Sequence, residues 1–456
     1  MMKMKNIFTL LLCLLSTAAL AQVQKGDVLF KNGTVLTVTN GTMENTDVLV
    51  RDGKISRIGK DLRAPRGVET VDIQGKFLMP GIIDAHSHIA GSAINEGTSQ
   101  VTAEVSMEDV VDPTDVAIYR ALAGGVTSIH LMHGSANVIG GQNETMKLRY
   151  GTMNPDDLRF EGAPRTIKFA LGENPTRGGR SRGIQPQSRM GVENMLRNSF
   201  AEAVEYGKKW DAYNSSSDAR KVAPEYNLRM QTLVDIMNGD VLIHCHSYRA
   251  DEIYMLMKVL SDFDVDKITF QHANEAYKVA PELAAFGASA SVFADWWAYK
   301  LEVYYSTAYN AAILTENGVL TSINSDSGEL IRHLFHEAAK TQKYGDLSDD
   351  QALALITLNP AKQLGIDSRV GSIEVGKDAD IAIFDKHPLS VYAVPQMTFV
   401  DGVKYFDLMD SKGDKRIFVN PESTISDIMI YERHDDHRCL EDANMVNFED
   451  LFSNKK

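Results

Sequence analysis

The strongest constraint on the fold is an alternation of short apolar runs with spans of helical periodicity, which begins after Pro80-Gly81. Each run and the span after it have the length of one βα unit, which predicts a mainly parallel sheet covered by helices. The predicted strands are residues 81–88, 128–132, 166–172, 241–246, 268–272, 288–293 and 320–326. A chain of 456 residues can hold a barrel of roughly 250 residues and a smaller domain. We therefore expect an α/β protein built on a (β/α)8 TIM barrel.

The segments on either side of the barrel carry a different pattern, in which short strands are separated by turn residues. Between residues 27 and 75, apolar and polar residues alternate, and Asn32-Gly33 and Asp52-Gly53 mark hairpin turns. Short strands return beyond Pro360, so we expect the N- and C-terminal segments to form one small β-sandwich domain. The predicted divisions are a signal peptide (1–21), the N-terminal part of the sandwich (22–80), the barrel (81–365), the C-terminal part of the sandwich (366–420) and a C-terminal extension (421–456).

Two stretches between the predicted strands suggest less regular structure. Residues 134–142 are glycine-rich but lack the lysine of a phosphate-binding loop, and we expect either a loop at the barrel mouth or a tight connector. Residues 174–238 are rich in Gly, Arg, Ser and Asn and then become helical. A segment of that length is more than a connector, so it is interpreted as an insertion over the barrel mouth or as a surface elaboration.

The first residues predict export. Lys3 and Lys5 precede an apolar run over residues 7–15, and small residues follow up to Ala21. This order is typical of a secretory signal peptide, with cleavage expected before Gln22. The apolar run is short for a bilayer span, so we expect a periplasmic or secreted product with no stable membrane insertion after cleavage.

Composition narrows the classes of partner. The formal net charge of −14 argues against nucleic acid as a partner, because an acidic surface repels phosphate. Removal of the signal peptide would leave Cys245 and Cys439, which cannot make a disulfide framework, so the fold must rely on a large core. We expect a small-molecule substrate, and a homo-oligomer remains open.

The segment from Asp84 to His88 carries the first chemical signal. Residues two apart on a strand point the same way, so His86 and His88 present both imidazoles to one side. On the first strand of a barrel, that side is the interior at the carboxyl end, where active sites of this fold lie. Neutral imidazole binds zinc-like ions, although two histidines at this spacing can also simply face solvent.

Three later predicted strands also end in polar residues. His244 ends the run from residue 241, His272 ends the run from residue 268, and Asp326 ends the run from residue 320. One buried histidine of this kind could be an ordinary hydrogen-bonded core residue. A shared role explains the whole set better than separate core roles do. Together, the two histidines, the terminal aspartate and the pair on the first strand predict a metal centre at the barrel mouth.

The chain resembles the amidohydrolase superfamily, and within it the group related to imidazolonepropionases and metal-dependent prolidases. The resemblance covers about residues 27–405 and is carried by FLMPGIIDAHSH (77–88), GVTS (125–128), SDSG (325–328), LNPA (358–361) and GSIEVGKDAD (371–380). It implies that His86 and His88 bind the more buried metal. It also implies that His244 and His272 bind a second metal, and that Asp326 binds metal and takes a proton from a bridging water.

The resemblance further implies two divalent metal ions, with zinc as the expected metal, and an anion between them. Two such ions repel each other without a bridging charge. Similar enzymes use a carboxylated lysine, which points to Lys168, whereas some relatives use a carboxylate, which points to Glu173. Strand alternation favours Lys168, because Glu173 would lie on the opposite face unless the strand had ended. His246, two residues past His244, could touch substrate or support the ligands.

The expected function is hydrolysis of an amide-like C–N bond in a small molecule by a hydroxide that bridges the metals, with Asp326 handling the proton. A dipeptide or N-acyl amino acid is the preferred substrate, because the resembled group includes prolidases. Two alternatives stay open. One is a mononuclear deaminase or cyclic-amide hydrolase of the same fold, and the other is a non-catalytic metal- or solute-binding protein.

Overall fold

The computed structural model describes residues 23–297 and 299–410. The predicted signal peptide (1–21) and C-terminal extension (421–456) lie outside the described residues, as do residues 411–420 of the predicted sandwich. The described strands are β1 (Val28–Leu36), β2 (Thr42–Arg51), β3 (Lys54–Gly59), β4 (Glu69–Asp72), β5 (Phe77–Pro80), β6 (Ile82–Ser87), β7 (Val126–Leu131), β8 (Ile139–Lys147), β9 (Arg165–Ala170), β10 (Val241–Ser247), β11 (Ile268–His272), β12 (Ser289–Val292), β13 (Thr321–Ile323), β14 (Ile381–Phe384), β15 (Pro395–Val400) and β16 (Val403–Asp407). The described α-helices are α1 (Val116–Ala123), α2 (Glu173–Arg182), α3 (Arg189–Ser215), α4 (Leu228–Met237), α5 (Ala250–Ser261), α6 (Ala280–Phe286), α7 (Asn310–Glu316), α8 (Leu334–Gly345), α9 (Asp349–Ala354) and α10 (Leu358–Gln363).

The eight strands from β6 to β13 form one sheet in sequence order, which confirms a TIM-barrel-like α/β fold. The first and last strands approach each other where the Asp326 N–H donates to the carbonyl of His86 at 3.1 Å. All seven predicted barrel strands are present; β11 has the predicted bounds, and the ends of the other six are shifted. The sheet departs from an all-parallel barrel at one place, because β8 runs antiparallel to both β7 and β9.

The expectation of a loop over residues 134–142 is therefore wrong for its second half, which begins β8. A side chain at Gly140 would place its Cβ 2.8 Å from His133 Nδ1 and 3.2 Å from the Lys168 carbonyl. At Gly141 a Cβ would lie 2.6 Å from Val105 Cγ2. The glycines allow β8 to approach its neighbours closely, and this is a property of the tertiary fold.

The 174–238 stretch mostly belongs to the outer helical layer of the barrel, so the expectation of a cover over the mouth is wrong for α3 and α4. Phe200 of α3 is fully buried, and its ring lies 6.2 Å from that of Phe169 on β9. Leu233 of α4 lies in the same buried cluster. The first helix of the stretch, α2, differs because it begins directly after β9 at the barrel mouth. Among the described residues, no helix combines the length and apolarity needed to cross a bilayer.

The N- and C-terminal segments share the second sheet, because β14 pairs antiparallel with β5. The order is β16-β15-β14-β5-β1-β2-β3, with β4 beside β1. This sheet curls over its own core, so that the rings of Phe30 on β1 and Phe399 on β15 pack edge to face at 4.9 Å. The strands form one continuous hydrogen-bonded sheet, and its division into the two layers of a sandwich stays a prediction.

A buried cluster of charges links the small sheet to the barrel. Lys147, at the end of β8, is fully buried and contacts three aspartates of the small domain. Its Nζ lies 2.8 Å from Asp378 Oδ2, 3.1 Å from Asp380 Oδ2 and 2.6 Å from Asp401 Oδ1. The GKDAD segment of the sequence therefore supplies two carboxylates to the junction between the domains.

Candidate metal centre

The centre is built around the carboxylate of Asp326, just beyond β13 at the barrel mouth. His86 Nε2 lies 3.5 Å and His88 Nε2 lies 3.2 Å from Asp326 Oδ1. His272 Nε2 lies 3.6 Å from Asp326 Oδ2. The strand alternation seen in the sequence thus brings the first, sixth and eighth barrel strands to one point, as expected for the carboxyl ends of barrel strands.

Hydrogen bonds at the other ring nitrogens orient the two histidines of the first strand. His88 Nδ1 lies 2.9 Å from the Met132 carbonyl, which can only accept, so this nitrogen carries the proton. His86 Nδ1 lies 3.1 Å from Gln271 Oε1. With the proton on Nδ1, a neutral ring at either position would present an unprotonated Nε2 toward Asp326, which is the arrangement that metal-bound histidines use.

Asp326 is held in an unusual backbone conformation by its surroundings. Its φ is +47° and that of His272 is +65°, so both residues lie in the left-handed region. Such conformations cost about 1 kcal/mol or more for residues other than glycine and are concentrated at functional sites. Its neighbour Ser325 is held by Asp84, whose Oδ2 accepts from Ser325 Oγ at 2.5 Å.

The electrostatics keep Asp326 ionised and two of the neighbouring histidines, His86 and His272, neutral. Burial alone would raise the pKa of Asp326, but the neighbouring histidines and Lys168 outweigh it and bring the pKa to about 2. Burial lowers the pKa of His272 to about 3 and that of His86 well below its usual range. The Asp326 carboxylate therefore faces the uncharged imidazoles of His86 and His272 at neutral pH, which is the protonation state that metal ligation needs.

The structure separates the two candidates for the bridging anion. Lys168 on β9 is fully buried, and its Nζ lies 3.2 Å from His86 Nε2 and 3.0 Å from the His133 carbonyl. Glu173 lies in the first turn of α2, where its carboxylate faces Lys300 at 3.5 Å and Arg177 at 3.6 Å. Lys168 is thus placed beside the histidines, and Glu173 is placed in a charged cluster at the rim. The bridging role itself stays a prediction.

The two histidines of β10 lie at different depths in the barrel. The ring centroid of His246 is 4.9 Å from that of His272. His244 lies further in, where its ring packs 4.4 Å from that of His130 and its Nδ1 lies 3.0 Å from Gln271 Nε2. The ligand role expected for His244 and the substrate contact expected for His246 both stay predictions, although His246 is the one beside His272.

The residues present fit a divalent metal. Both ring nitrogens of His246 and of His272 are buried and lack a hydrogen-bond partner. Such unpaired polar atoms are costly unless something pairs with them. One ligand atom each from His86, His272 and Asp326 lies within 4.8 Å of the other two. This donor set of imidazoles and a carboxylate is suited to a zinc-like ion.

Several residues around the centre were missed by the sequence reasoning. Gln271 and Asp84 contact the ligand histidines or their neighbours, and their positions next to the histidine motifs are the only sequence signal for them. Tyr248 stacks on His272 with centroids 5.6 Å apart, and Phe293 stacks on it at 4.6 Å. Lys300 lies 4.2 Å from the Tyr248 ring, so an aromatic wall with a cation borders the histidines.

Comparisons with known proteins agree with this architecture. The sequence model of the amidohydrolase family matches residues 302–414. A solved structure of an amidohydrolase from Thermotoga maritima MSB8 is 34% identical, covers 83% of this chain and 100% of its own, and superposes with a TM-score of 0.78. The chain belongs to the amidohydrolase family.

Two curated relatives show the breadth of that family. Amidohydrolase tasK of Hapsidospora irregularis is 31% identical over 399 residues, which are 79% of this chain and 40% of tasK. This chain therefore spans well under half of the length of that relative. An imidazolonepropionase of Thermoplasma volcanium is 22% identical over 387 residues, which are 75% of this chain and 84% of the relative. The expected resemblance to amidohydrolases and imidazolonepropionases is confirmed.

Proposed function

We propose that this chain is an exported, metal-dependent amidohydrolase that cleaves an amide-type C–N bond in a small molecule. The observation that carries the proposal is the convergence of three histidine Nε2 atoms on the carboxylate of Asp326, with Lys168 Nζ 3.2 Å from His86 Nε2. Membership of the amidohydrolase family supports hydrolysis of a C–N bond. A dipeptide or an N-acyl amino acid is the preferred substrate class, on the strength of the prolidase-like sequence stretches.

The ligands for a metal pair are available in the site. His86, His88 and Asp326 would hold one ion, and His272 with a histidine of β10 would hold the other. Lys168, as a carbamate, would supply the anion between them. When bound, two such ions polarise a substrate carbonyl and acidify water.

Asp326 is suited to move the proton. Its pKa of about 2 keeps it ionised at neutral pH, so an oxygen of its carboxylate can accept a proton from the attacking water. It can then return this proton to the leaving nitrogen as the C–N bond breaks. The left-handed backbone and the bond from its N–H to the His86 carbonyl hold the carboxylate in place for both steps.

The decisive experiment is the substitution Asp326→Asn in the zinc-loaded protein. We expect turnover to fall by at least about 10³-fold, because the amide cannot accept the proton, while most of the bound metal is retained. Asp346→Asn is the matched control, because Asp346 is exposed and also has a left-handed φ, of +56°. The assay is hydrolysis of dipeptide, N-acyl amino acid and cyclic amide libraries. Turnover that survives in Asp326→Asn contradicts the mechanism.

The same preparation separates the alternatives. Two metal ions per chain support the binuclear hydrolase, whereas one ion supports a mononuclear deaminase or cyclic-amide hydrolase. A protein that binds metal but turns over no member of the libraries supports the non-catalytic alternative. Export is tested by fractionating cells and sequencing the mature N-terminus, which we expect to begin at Gln22.

A further inference from the structure

Gln271 bridges two histidines of the barrel interior. It lies on β11, directly before His272, and its side chain is fully buried. Its Oε1 lies 3.1 Å from His86 Nδ1, and its Nε2 lies 3.0 Å from His244 Nδ1. A single amide thus contacts one histidine on the first barrel strand and one on the fifth.

The directions of these two hydrogen bonds follow from the role proposed for His86. If His86 binds metal through Nε2, its Nδ1 must carry the proton and donate it. The amide atom facing His86 is then the carbonyl oxygen, and the amide nitrogen must face His244. An N–H of Gln271 therefore donates to His244 Nδ1, so this neutral ring keeps its own proton on Nε2.

A protonated Nε2 and an occupied Nδ1 leave His244 without a lone pair for a metal. Its position agrees, because its ring packs edge to face against that of His130. His130 itself is satisfied, since its Nδ1 contacts the Ala85 carbonyl at 3.3 Å and its Nε2 contacts Thr166 Oγ1 at 2.7 Å. Nε2 of His244 also lacks a hydrogen-bond partner, but His246 has two unpaired ring nitrogens and lies beside His272.

We propose that Gln271 is a positioning residue that fixes the tautomers of His86 and His244, and that His246 is consequently the metal ligand of the fifth barrel strand. The inference rests on the proposed metal centre. It departs from the ligand set implied by the family resemblance, which assigns His244. A hydrogen bond from the ring nitrogen that does not bind the metal orients a histidine ligand, and losing its acceptor typically lowers metal affinity by roughly 10- to 100-fold.

The first test compares two substitutions of Gln271. Gln271→Met keeps the volume but removes the acceptor for His86 Nδ1, so we expect zinc affinity to fall by roughly 10- to 100-fold. Gln271→Glu keeps an acceptor at that position, so we expect its zinc affinity to stay within about threefold of the parent protein. Affinity is measured by competition with a chromophoric chelator, and circular dichroism monitors folding.

The outcomes of that test are distinct. A role in packing alone predicts the reverse order, because Met fits an apolar site and a buried Glu does not. The inference is overturned if Gln271→Glu loses more zinc affinity than Gln271→Met. It is also overturned if the two variants keep the parent affinity or lose zinc affinity to the same extent. If Gln271→Met does not fold, the second comparison decides.

The second test compares His244→Gln with His246→Gln by metal analysis. We expect His246→Gln to lose one of two bound zinc ions, or to bind it at least about 100-fold more weakly, and His244→Gln to retain both. The opposite result restores His244 as the ligand and overturns the inference. A parent protein that binds no zinc instead contradicts the proposed function, so the two failures are distinguishable.

Discussion

Replacing Lys147 by methionine should be among the most destabilising single substitutions outside the metal centre. Lys147 is fully buried and lies within 3.1 Å of a carboxylate oxygen of each of three aspartates. Two of these carboxylates keep another cation in the variant: Asp378 keeps Arg369 at 2.6 Å, and Asp401 keeps Arg149 at 2.7 Å. Among the described residues, no other cation forms an ion pair with Asp380.

The size of the destabilisation follows from Asp380, whose carboxylate would be left without a cation in Lys147→Met. Removing one partner of a buried ion pair leaves an uncompensated charge and costs about 3–5 kcal/mol. Methionine fills most of the lysine volume, so the loss of packing adds little. We expect the free energy of unfolding to fall by about 3–5 kcal/mol at pH 8.

The cost should depend on pH. Burial raises the pKa of Asp380 to about 6 even with Lys147 beside it. Because this folded pKa lies above the unfolded value near 3.9, the bound proton stabilises the fold below pH 4, and this stabilisation is lost as pH rises through 6. Loss of Lys147 raises the pKa of Asp380 in the folded state further. Each pKa unit of this rise lowers the free energy of unfolding by about 1.4 kcal/mol at pH 8, where Asp380 is ionised, and this loss is absent at pH 5, where Asp380 is protonated.

The assay is urea unfolding followed by circular dichroism at pH 5 and pH 8. Lys54→Met is the matched control, because Lys54 contacts the same Asp378 at 2.6 Å but is half exposed. We expect it to cost at most about 1 kcal/mol at either pH. A cost below about 1 kcal/mol for Lys147→Met, or a larger cost at pH 5 than at pH 8, refutes the reasoning.

Two further predictions concern the barrel mouth. Gly172 has a φ of +78°, and an added Cβ would lie 2.2 Å from Glu302 Oε1, so Gly172→Ala should cost about 1–3 kcal/mol in a thermal or urea melt. A loss below 0.5 kcal/mol contradicts this geometry. Removing metal with a chelator should lower the melting temperature and abolish turnover, and zinc at 1,000 times its Kd should restore about 4 kcal/mol of stability. A melting temperature that is indifferent to chelator and to added zinc argues against a metal centre.

The strands were predictable wherever local sequence and burial agree. β10 and β11 are apolar runs that end in polar residues, and these runs stand out at the level of sequence. β8 was missed because residues 139–147 carry glycines and polar side chains in place of an apolar run. Its strand conformation is imposed by pairing with β7 and β9, which is a tertiary effect that local propensity does not record.

The residue types of the site were predictable from the sequence, but the depth of each histidine in the barrel was not. Strand alternation shows that His244 and His246 face the same way, but it cannot show which lies level with His272. The strand register in the structure shows it. His246 pairs with Gln271, the neighbour of His272, whereas His244 pairs with Thr269, two residues deeper in the barrel. Apart from its place directly before His272, Gln271 gave no signal, since the role of a glutamine is set by the partners of its amide.

The reversed direction of β8 connects the two ends of the barrel. Ile139 at its start pairs with Phe169 near the mouth, and Lys147 at its end pairs with Ser128 at the opposite end of the barrel. In a parallel third strand, the residue at the C-terminal end would lie at the mouth, and a buried lysine there would add a positive charge beside the candidate metal centre. Because the strand is reversed, the glycines lie beside Lys168 and the lysine meets the aspartates of the small domain. The departure from an all-parallel barrel therefore keeps the two buried lysines, one for the metal centre and one for the domain junction, at opposite ends of adjacent strands.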